Sequence, residues 1–121
     1  MSEAGPDALV DEHGHVACSR CEVATSLWAR TRGLLGRAGL APDEGLLIPR
    51  TSSIHMFFMR FPIDAVFLDR ELRVRRIAAD LPPWRIAWAR GAKSVLELPA
   101  GAAARAGIEI GSRLAWHHRE R

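Results

Sequence analysis

The chain has only two cysteines and one lysine among its 121 residues, and it has no long uninterrupted apolar stretch. No run approaches the roughly 20 apolar residues that a membrane-spanning helix needs. The first seven residues carry neither the basic region nor the apolar region of a secretory signal. We therefore expect no membrane association, a cytoplasmic location and reduced thiols.

Motifs for the familiar reaction classes are also missing. The chain contains no Gly-x-Ser-x-Gly nucleophile elbow, no phosphate-binding glycine-rich loop ending in Lys-Ser or Lys-Thr, and no His-Glu-x-x-His helix. It has no internal repeats. These absences remove support for the corresponding hydrolase and nucleotide-binding mechanisms, and the sequence predicts no cofactor.

The charge is moderately basic and widely distributed. The formal net charge is +3 and the pI is about 9.6, which invites a nucleic-acid interpretation. The densest group of arginines alternates with acidic residues, namely Arg70, Arg73, Arg75 and Arg76 with Asp69 and Glu71. Such a pattern is typical of a solvated surface. Nucleic acid is therefore the less favoured partner, behind a small molecule or another polyanion.

Length and composition indicate one globular domain. A charged fraction of 26% and a hydrophobic fraction of 48% are those of a folded protein, and a chain of this length suits a single core. We expect a β-rich domain over residues 8–117, with frayed ends at 1–7 and 118–121.

The first half of the chain predicts a hairpin followed by a helix. Two apolar segments, at 8–10 and 16–18, flank a turn that contains Gly14, whose positive φ suits a hairpin, and the second strand is expected to run on to about Ala24. From Thr25 to Leu35 the apolar residues fall at helical spacing, and Gly36 is placed to end that helix.

The second half predicts short strands and a brief helix. Strands are expected at 46–48, 54–59, 65–68, 72–77, 95–98 and 114–116, a long loop at 78–93, and an alanine-rich helix at 100–106 closed by Gly107. The predicted fold is mainly β, a small antiparallel barrel-like or strongly bent sheet with one helix in the N-terminal half and one short C-terminal helix.

The stretch from Ile54 to Asp69 is expected to form the centre of this fold. It holds all four Phe and two of the three Met, yet it also contains His55, Arg60 and Asp64. Those polar groups are costly to bury without partners. Pro62 cannot donate a ladder hydrogen bond, so we expect a strand break nearby.

Three segments together resemble a known family. They are Arg32-Gly-Leu-Leu-Gly-Arg37, the run from Met59 to Asp69, and Val95 to Gly101 followed by Gly107 to Leu114. Their order and spacing over residues 16–116 are similar to those of the bacterial and archaeal family called domain of unknown function 192. The resemblance implies a compact, mainly β domain with no established biochemical activity. It supports the fold more strongly than any site.

Cys18-x-x-Cys21 has the spacing of half a zinc site, and His13 and His15 lie nearby in the sequence. If the segment is extended, however, the two thiols point to opposite faces of the sheet and cannot share a metal. We therefore expect structural thiols and no metal, with a zinc site and a redox dithiol as the less favoured alternatives.

The candidate ligand-binding residues centre on His55, Arg60, Asp64 and Glu97. A histidine can shuttle protons, an arginine can hold an anion, and a carboxylate can act as a base or orient the histidine. The structural alternative is a buried Arg60–Asp64 ion pair that stabilises the bend at Pro62.

Two further groups are candidates. Arg32 and Arg37 flank a Gly-Leu-Leu-Gly turn and could hold a phosphate, although helix-end electrostatics explains them equally well. Trp84 and Trp88, near Arg85 and Arg90, could stack on rings of a ligand or could simply cover the core.

Three functional hypotheses follow from these residues. The favoured one is a binding or accessory module for a small anionic or hydroxylated ligand, with a pocket or groove lined by His55, Arg60, Asp64 and Trp84. The second is an enzyme that uses His55 with Asp64 or Glu97 for acid-base chemistry. The third is a nucleic-acid module, which requires the arginines to gather on one face with Trp84 or Trp88 exposed. The oligomeric state is not predicted.

Overall fold

The computed structural model describes residues 7–24, 34 and 37–118. Within them it has one short helix, α1 (Ala102–Ala106), and nine strands: β1 (Asp7–Asp11), β2 (Val16–Val23), β3 (Glu44–Pro49), β4 (Ser53–His55), β5 (Ile63–Leu68), β6 (Val74–Leu81), β7 (Ile86–Trp88), β8 (Ser94–Pro99) and β9 (Leu114–His117). The mainly β prediction is confirmed. No helix among these residues is long and apolar enough to cross a membrane.

Seven strands form one sheet in the order β6-β5-β8-β3-β2-β1-β9. All neighbouring pairs in it are antiparallel except β2 and β3, which are parallel. The expectation of a wholly antiparallel sheet is therefore wrong at this pair. Parallel neighbours need a crossover of a dozen or more residues, and the connection over residues 24–43 is long enough to supply it.

The sheet is strongly bent but not closed among the described residues. Its two edge strands meet at a single bridge between Arg73 and Arg113. Beside the bridge, Val74 N donates to Ser112 O at 2.8 Å and Leu114 N donates to Leu72 O at 2.9 Å. The bent-sheet alternative of the prediction is therefore the one that the structure adopts, rather than a barrel.

A separate two-stranded layer covers one face of this sheet. It pairs β4 with β7, so that Ser53 lies opposite Trp88, Ile54 opposite Ala87 and His55 opposite Ile86. We call this unit, with its flanking segments 49–62 and 82–93, the β4–β7 layer. Its strands are only three residues long because turns follow at once.

Two predictions for this region are wrong in detail. The strand expected from Ile54 to Met59 ends at His55, and Met59 N closes a turn by donating to Met56 O at 3.2 Å. The loop expected at 78–93 contains the last residues of β6 and all of β7. Both errors arise because the layer is held by pairing between distant segments rather than by a local pattern.

The core consists of two apolar clusters on opposite faces of the central strands. All six residues of β5 are buried, and its side chains alternate between the clusters. Val66 and Leu68 face the first cluster, beneath α1, whereas Ile63 and Phe67 face the second, beneath the β4–β7 layer. Two-sided burial explains why this strand is an unbroken apolar run except for Asp64.

The C-terminal helix prediction is confirmed, although the helix begins two residues later than expected. Gly107 closes it with φ 82° and donates its N–H to Ala104 O at 3.1 Å. The helix predicted from Thr25 falls almost entirely outside the described residues. Leu34, which is described, is buried in the second cluster. At the ends of the chain, Asp7 belongs to β1 and His118 Nδ1 lies 2.8 Å from Asp7 Oδ2.

Two hairpin turns share one architecture. In the predicted β1–β2 hairpin, Asp11 Oδ1 accepts from His13 N at 2.9 Å and from His15 N at 2.8 Å. In the β5–β6 turn, Asp69 Oδ1 likewise accepts from the backbone N–H groups two and four residues later, those of Glu71 and Arg73. The residue three after the aspartate has positive φ in both turns, 86° at Gly14 and 65° at Leu72. The first turn thus uses glycine at the position that requires left-handed backbone.

Replacing Gly14 with alanine should destabilise the protein by roughly 1–2 kcal/mol, because an L-residue resists the left-handed conformation. A Cβ at Gly14 has no atom within 4 Å, so steric overlap does not contribute. The free energy of unfolding from denaturant titration measures the effect. Gly39→Ala is the matched control, since it is equally uncrowded but lacks a positive φ. Equal stability of the two variants would contradict the prediction.

Candidate functional site

Four aromatic rings meet at the end of the β4–β7 layer. The ring centroids of Phe58 and Trp84 are 4.8 Å apart, those of Phe57 and Trp84 are 5.9 Å apart, and those of His55 and Phe57 are 4.8 Å apart. Phe57 N also donates to His55 Nδ1 at 3.3 Å. The structure therefore brings together His55 and Trp84, two of the residues selected from the sequence, with Phe57 between them.

Much of this aromatic surface is exposed. The relative exposure is 70% for Phe58, 57% for Trp84 and 63% for Trp88. Ile86 is also exposed, whereas Ala87, between Ile86 and Trp88, is buried in the second cluster. The layer thus directs one face to the core and presents the other, with its large apolar side chains, to solvent. A contiguous patch of this kind is typical of a recognition surface.

The backbone holds two of these rings in an unusual conformation. Phe58 has φ 65° and Trp84 has φ 72°, and bulky residues rarely adopt positive φ. The conformation at Trp84 is held by its N–H, which donates to Met56 O at 2.7 Å, while Met56 N donates to Arg85 O at 2.7 Å. Strain of this kind tends to occur where a function requires a particular side-chain placement.

The layer is positively charged. Segments 49–62 and 82–93 contain no Asp or Glu, and their cationic residues are Arg50, Arg60, Arg85, Arg90 and Lys93. All five are exposed. Two arginines of β6 adjoin them: Arg76 Nη1 donates to Trp88 O, and a Cβ placed on Gly91 would lie 3.1 Å from Arg75 Nη2. Within these two segments, therefore, the positive charges are not balanced by a carboxylate.

Asp64 lies elsewhere and has a structural role. It is 1% exposed, and Oδ1 accepts from Asp80 N at 2.8 Å and from Gly101 N at 3.0 Å, while Oδ2 accepts from Ala103 N at 3.0 Å. Arg60 is exposed, and the ion pairs among described residues do not join it to Asp64. The alternative of a buried Arg60–Asp64 pair is therefore wrong, because backbone amides satisfy the carboxylate.

Glu97 is buried on the face of the sheet opposite to Asp64. It pairs with Leu46 and Ala65, which belong to or pack against the second cluster, whereas Asp64 lies opposite Leu98 of the first cluster. Among the described residues Glu97 Oε1 has no hydrogen-bond partner. Burial raises the pKa of Glu97 to about 7. The two carboxylates selected from the sequence therefore do not share a site.

The Arg32–Arg37 candidate can be followed only in part, since Arg32 lies outside the described residues. Arg37 Nη2 donates to Glu44 Oε1 at 3.3 Å, and Glu44 Oε1 also accepts from Ala41 N at 2.8 Å. Arg20 nearby makes a two-pronged contact with Asp43, at 2.7 and 2.9 Å. The cations here already have carboxylate partners, which leaves less free charge for a phosphate than in the β4–β7 layer.

Both cysteines point into the first cluster. β-bulges in the β1–β2 pairing shift the register, so that Cys18 pairs with Leu9 and Cys21 with Asp7. The expectation that the two thiols face opposite sides is therefore wrong. They are buried and free, and the hydrogen bond with Cys18, together with burial, raises the pKa of the Cys21 thiol. A high pKa disfavours the reactive thiolate.

His15 has a partner that the sequence did not reveal. Its Nδ1 lies 2.9 Å from Asp11 Oδ2, and a Cβ placed on Gly107 would lie 3.3 Å from its ring. Burial alone raises the pKa of Asp11, but hydrogen bonds from His15 and His13 outweigh it and hold that pKa below its usual value. The pair lines a polar cleft of about 400 Å³. No group of three metal-ligating side chains occurs in the described part of the chain.

Sequence reasoning missed Phe57 and Phe58 as surface residues. They were assigned to a core strand because they lie in an apolar run. The apolar run alone carried no signal of this exposure, since consecutive apolar side chains are also found in β5, which is buried on both faces. Pro62 indicated the break but not where the chain turns away.

The fold and this surface define a class of protein: a bent, mainly β domain whose small outer layer carries exposed aromatic and cationic side chains. The chain belongs to the DUF192 family, described as Uncharacterized ACR, whose model matches residues 8–116. The resemblance noted from the sequence is thereby confirmed.

Relatives and solved structures agree with this assignment. The chain is 33% identical to a UPF0127 protein of Thermococcus sibiricus, over 88% of this chain and 72% of that protein. It is 39% identical to a UPF0127 protein of Pyrococcus abyssi over 54% of this chain, and the match spans only 56% of that relative.

Two crystal structures have similar folds. One is a protein of unknown function from Novosphingobium aromaticivorans, with TM-score 0.78 and 31% identity, covering 92% of this chain and 84% of that one. The other is a proposed transcription regulator from Sinorhizobium meliloti, with TM-score 0.79 and 27% identity, covering 95% and 98%.

Asp64→Asn should lower the free energy of unfolding by roughly 3 kcal/mol or more, because an amide replaces a charged acceptor of three backbone N–H groups and directs a donor at one of them. Denaturant titration measures the loss. Asp80→Asn is the control, since Asp80 contributes its backbone N–H to the same network and asparagine accepts its φ of 51°. A loss below about 1 kcal/mol for Asp64→Asn would contradict the proposed role.

Glu97 should make stability fall as pH rises. Its pKa is about 7 in the folded state against 4.5 for the ordinary group, so between those values the folded protein keeps a proton that the unfolded chain releases. The free energy of unfolding therefore decreases over this interval and levels off above pH 7. For Glu97→Gln, which cannot ionise, the stability relative to wild type should increase by about 3 kcal/mol between pH 4 and pH 8.

The exposed carboxylate Glu109 provides the control for this measurement. Glu109→Gln should follow the wild-type dependence of unfolding free energy on pH. If the free energies of unfolding of Glu97→Gln and wild type changed in parallel with pH, the prediction that Glu97 stays protonated in the folded protein would be wrong.

Proposed function

We propose that this protein is a binding module that holds an anionic ligand on the outer face of the β4–β7 layer. The observation that carries the proposal is the contact between Phe58 and Trp84, two rings that are more than half exposed and lie on left-handed backbone. Burying such rings is favourable, by roughly 25 cal/mol per Å² of apolar surface. Their exposure in a strained conformation favours a role in recognition.

The charge distribution supports an anionic ligand. The layer combines these rings with exposed cations and no carboxylate of its own, although the whole chain has a net charge of only +3. A local excess of one sign attracts ligands of the other sign and accelerates their association. His55, in contact with Phe57, adds a further group that becomes cationic when protonated.

The enzyme hypothesis has less support. That hypothesis pairs His55 with Asp64 or Glu97, but Asp64 accepts three backbone N–H groups, and Glu97 is buried whereas His55 is exposed. The proposed transcription regulator among the similar structures supports binding rather than a chemical step, and it justifies including nucleotides among the ligands to be tested.

The proposal is tested by thermal melting with inorganic phosphate, AMP and polyphosphate. A ligand that binds only the folded protein raises the melting temperature. We expect polyphosphate or AMP to do so at low salt, and we expect Arg85→Gln/Arg90→Gln to weaken the binding at least about fivefold.

The control is Arg70→Gln/Arg105→Gln, which removes the same charge from exposed positions outside the layer. It should retain most of the affinity. An equal loss of affinity in both double variants would overturn the proposal, as would the failure of every anion tested, an oligonucleotide included, to bind the protein.

A further inference from the structure

We infer that the ligand of the β4–β7 layer is single-stranded nucleic acid, bound by stacking of its bases on Trp84 and Trp88. This inference rests on the proposed function and specifies its ligand. It draws on the number of ring platforms, their exposure to solvent, and the placement of the cations.

The layer offers two separate stacking platforms. Trp84 forms the first with Phe57 and Phe58, and Trp88 forms the second at the far end of β7. The two tryptophans are four positions apart in the sequence, a distance of no more than about 14 Å along the chain. Ile86, exposed between them, extends the apolar surface. Successive platforms suit a polymer with a ring on every unit better than one small molecule.

The platforms lie on an open surface. Pockets for small molecules usually enclose most of the ligand, whereas Trp84, Trp88 and Phe58 are each more than half exposed. In the part of the chain that the structure describes, two clefts, of about 530 and 400 Å³, are lined by residues around β1, β9 and the adjoining turns. An open surface can gain affinity by repeating weak contacts along a chain, which a strand of nucleotides provides.

The cations complete the match to a polyanion. Arg85 lies between Trp84 and Ile86, and Arg90 follows Trp88 by two residues, so positive charge accompanies both platforms. On the β6 side, Arg76 contacts the Trp88 carbonyl and Arg75 approaches Gly91. Alternation of rings and cations is the arrangement by which proteins hold bases and phosphates of a single strand.

A single strand fits this surface better than a duplex. In a duplex the faces of the bases are stacked on each other, so the tryptophan rings cannot reach them without unstacking energy. The layer contributes no long helix or ribbon that could enter the major groove, since its strands are three residues long. Stacking and charge discriminate little among bases, so binding should tolerate many sequences.

The test uses a fluorescein-labelled strand of about 12 thymidines, a length within the range that such sites cover, with fluorescence anisotropy as the readout. We expect Trp84→Ala and Trp88→Ala each to weaken binding about tenfold. Trp84→Phe, which keeps a ring, should recover most of the affinity. The slope of log K against log salt should become shallower by about 0.7 in Arg85→Gln.

The matched control is Ile110→Ala, which removes an equally exposed apolar side chain outside the layer and should change affinity by less than about twofold. Each variant is first compared with wild type by thermal melting, and the exposed positions are expected to leave the melting temperature nearly unchanged.

The outcomes separate this inference from the proposed function. If polyphosphate binds as tightly as the strand and the tryptophan variants have no effect, the layer binds anions but the inference is wrong. If a duplex of the same length binds as tightly as the single strand, the inference is also wrong. If neither the strand nor polyphosphate, phosphate or AMP binds, both fail.

Discussion

The buried carboxylate of Asp64 is the interaction on which much of this fold depends. Its two oxygens accept N–H groups from Asp80, Gly101 and Ala103, which lie 16, 37 and 39 positions after it in the sequence. One contact joins β5 to the irregular end of β6, and the other two join β5 to the start of α1. A charged acceptor can satisfy several donors at once in a medium of low polarity. A single polar side chain within an apolar strand thereby connects three elements.

The central sheet also explains why the β4–β7 layer exists. Strand β5 and most of β8 are buried on both faces, so each face requires a cover. Helix α1 contributes to the cover of one face, and the layer, through Met56, Met59 and Ala87, covers the other. Because the layer is only two short strands and their turns, its outer face is immediately at the surface. Recognition groups on it are therefore supported by the core directly beneath.

The same two-sided burial encloses Glu97 on the side of the second cluster. Its Oε1 has no hydrogen-bond partner among the described residues, and burial raises the pKa of Glu97 to about 7. Such a group lowers stability when ionised. Glu97, on the side of the second cluster, is thus a buried group with an unsatisfied oxygen. Asp64, on the side of the first cluster, instead accepts three backbone hydrogen bonds. The two carboxylates that appeared equivalent in the sequence thus have different physical roles.

Local patterns in the sequence determined much of this structure. Gly14 indicated the first hairpin, Gly107 indicated the end of the C-terminal helix, and the apolar run of 65–68 indicated a buried strand, because each depends on neighbouring residues alone. The mainly β class and the family resemblance followed from the same patterns. The positively charged, ring-bearing surface was only partly predictable: Trp84 and His55 were selected, but Phe57 and Phe58 were assigned to the core.

Only the tertiary structure decided the remaining features, since they depend on pairing between distant segments. The β-bulges turn Cys18 and Cys21 to one face, the parallel β2–β3 pair follows from a long connection, and the Asp64 partners are backbone groups up to 39 residues away. Backbone N–H groups are the same at every residue, so no sequence pattern distinguishes the ones that will meet a buried carboxylate. Which of two adjacent aromatic rings faces solvent is likewise set by where the chain turns and by what it packs against.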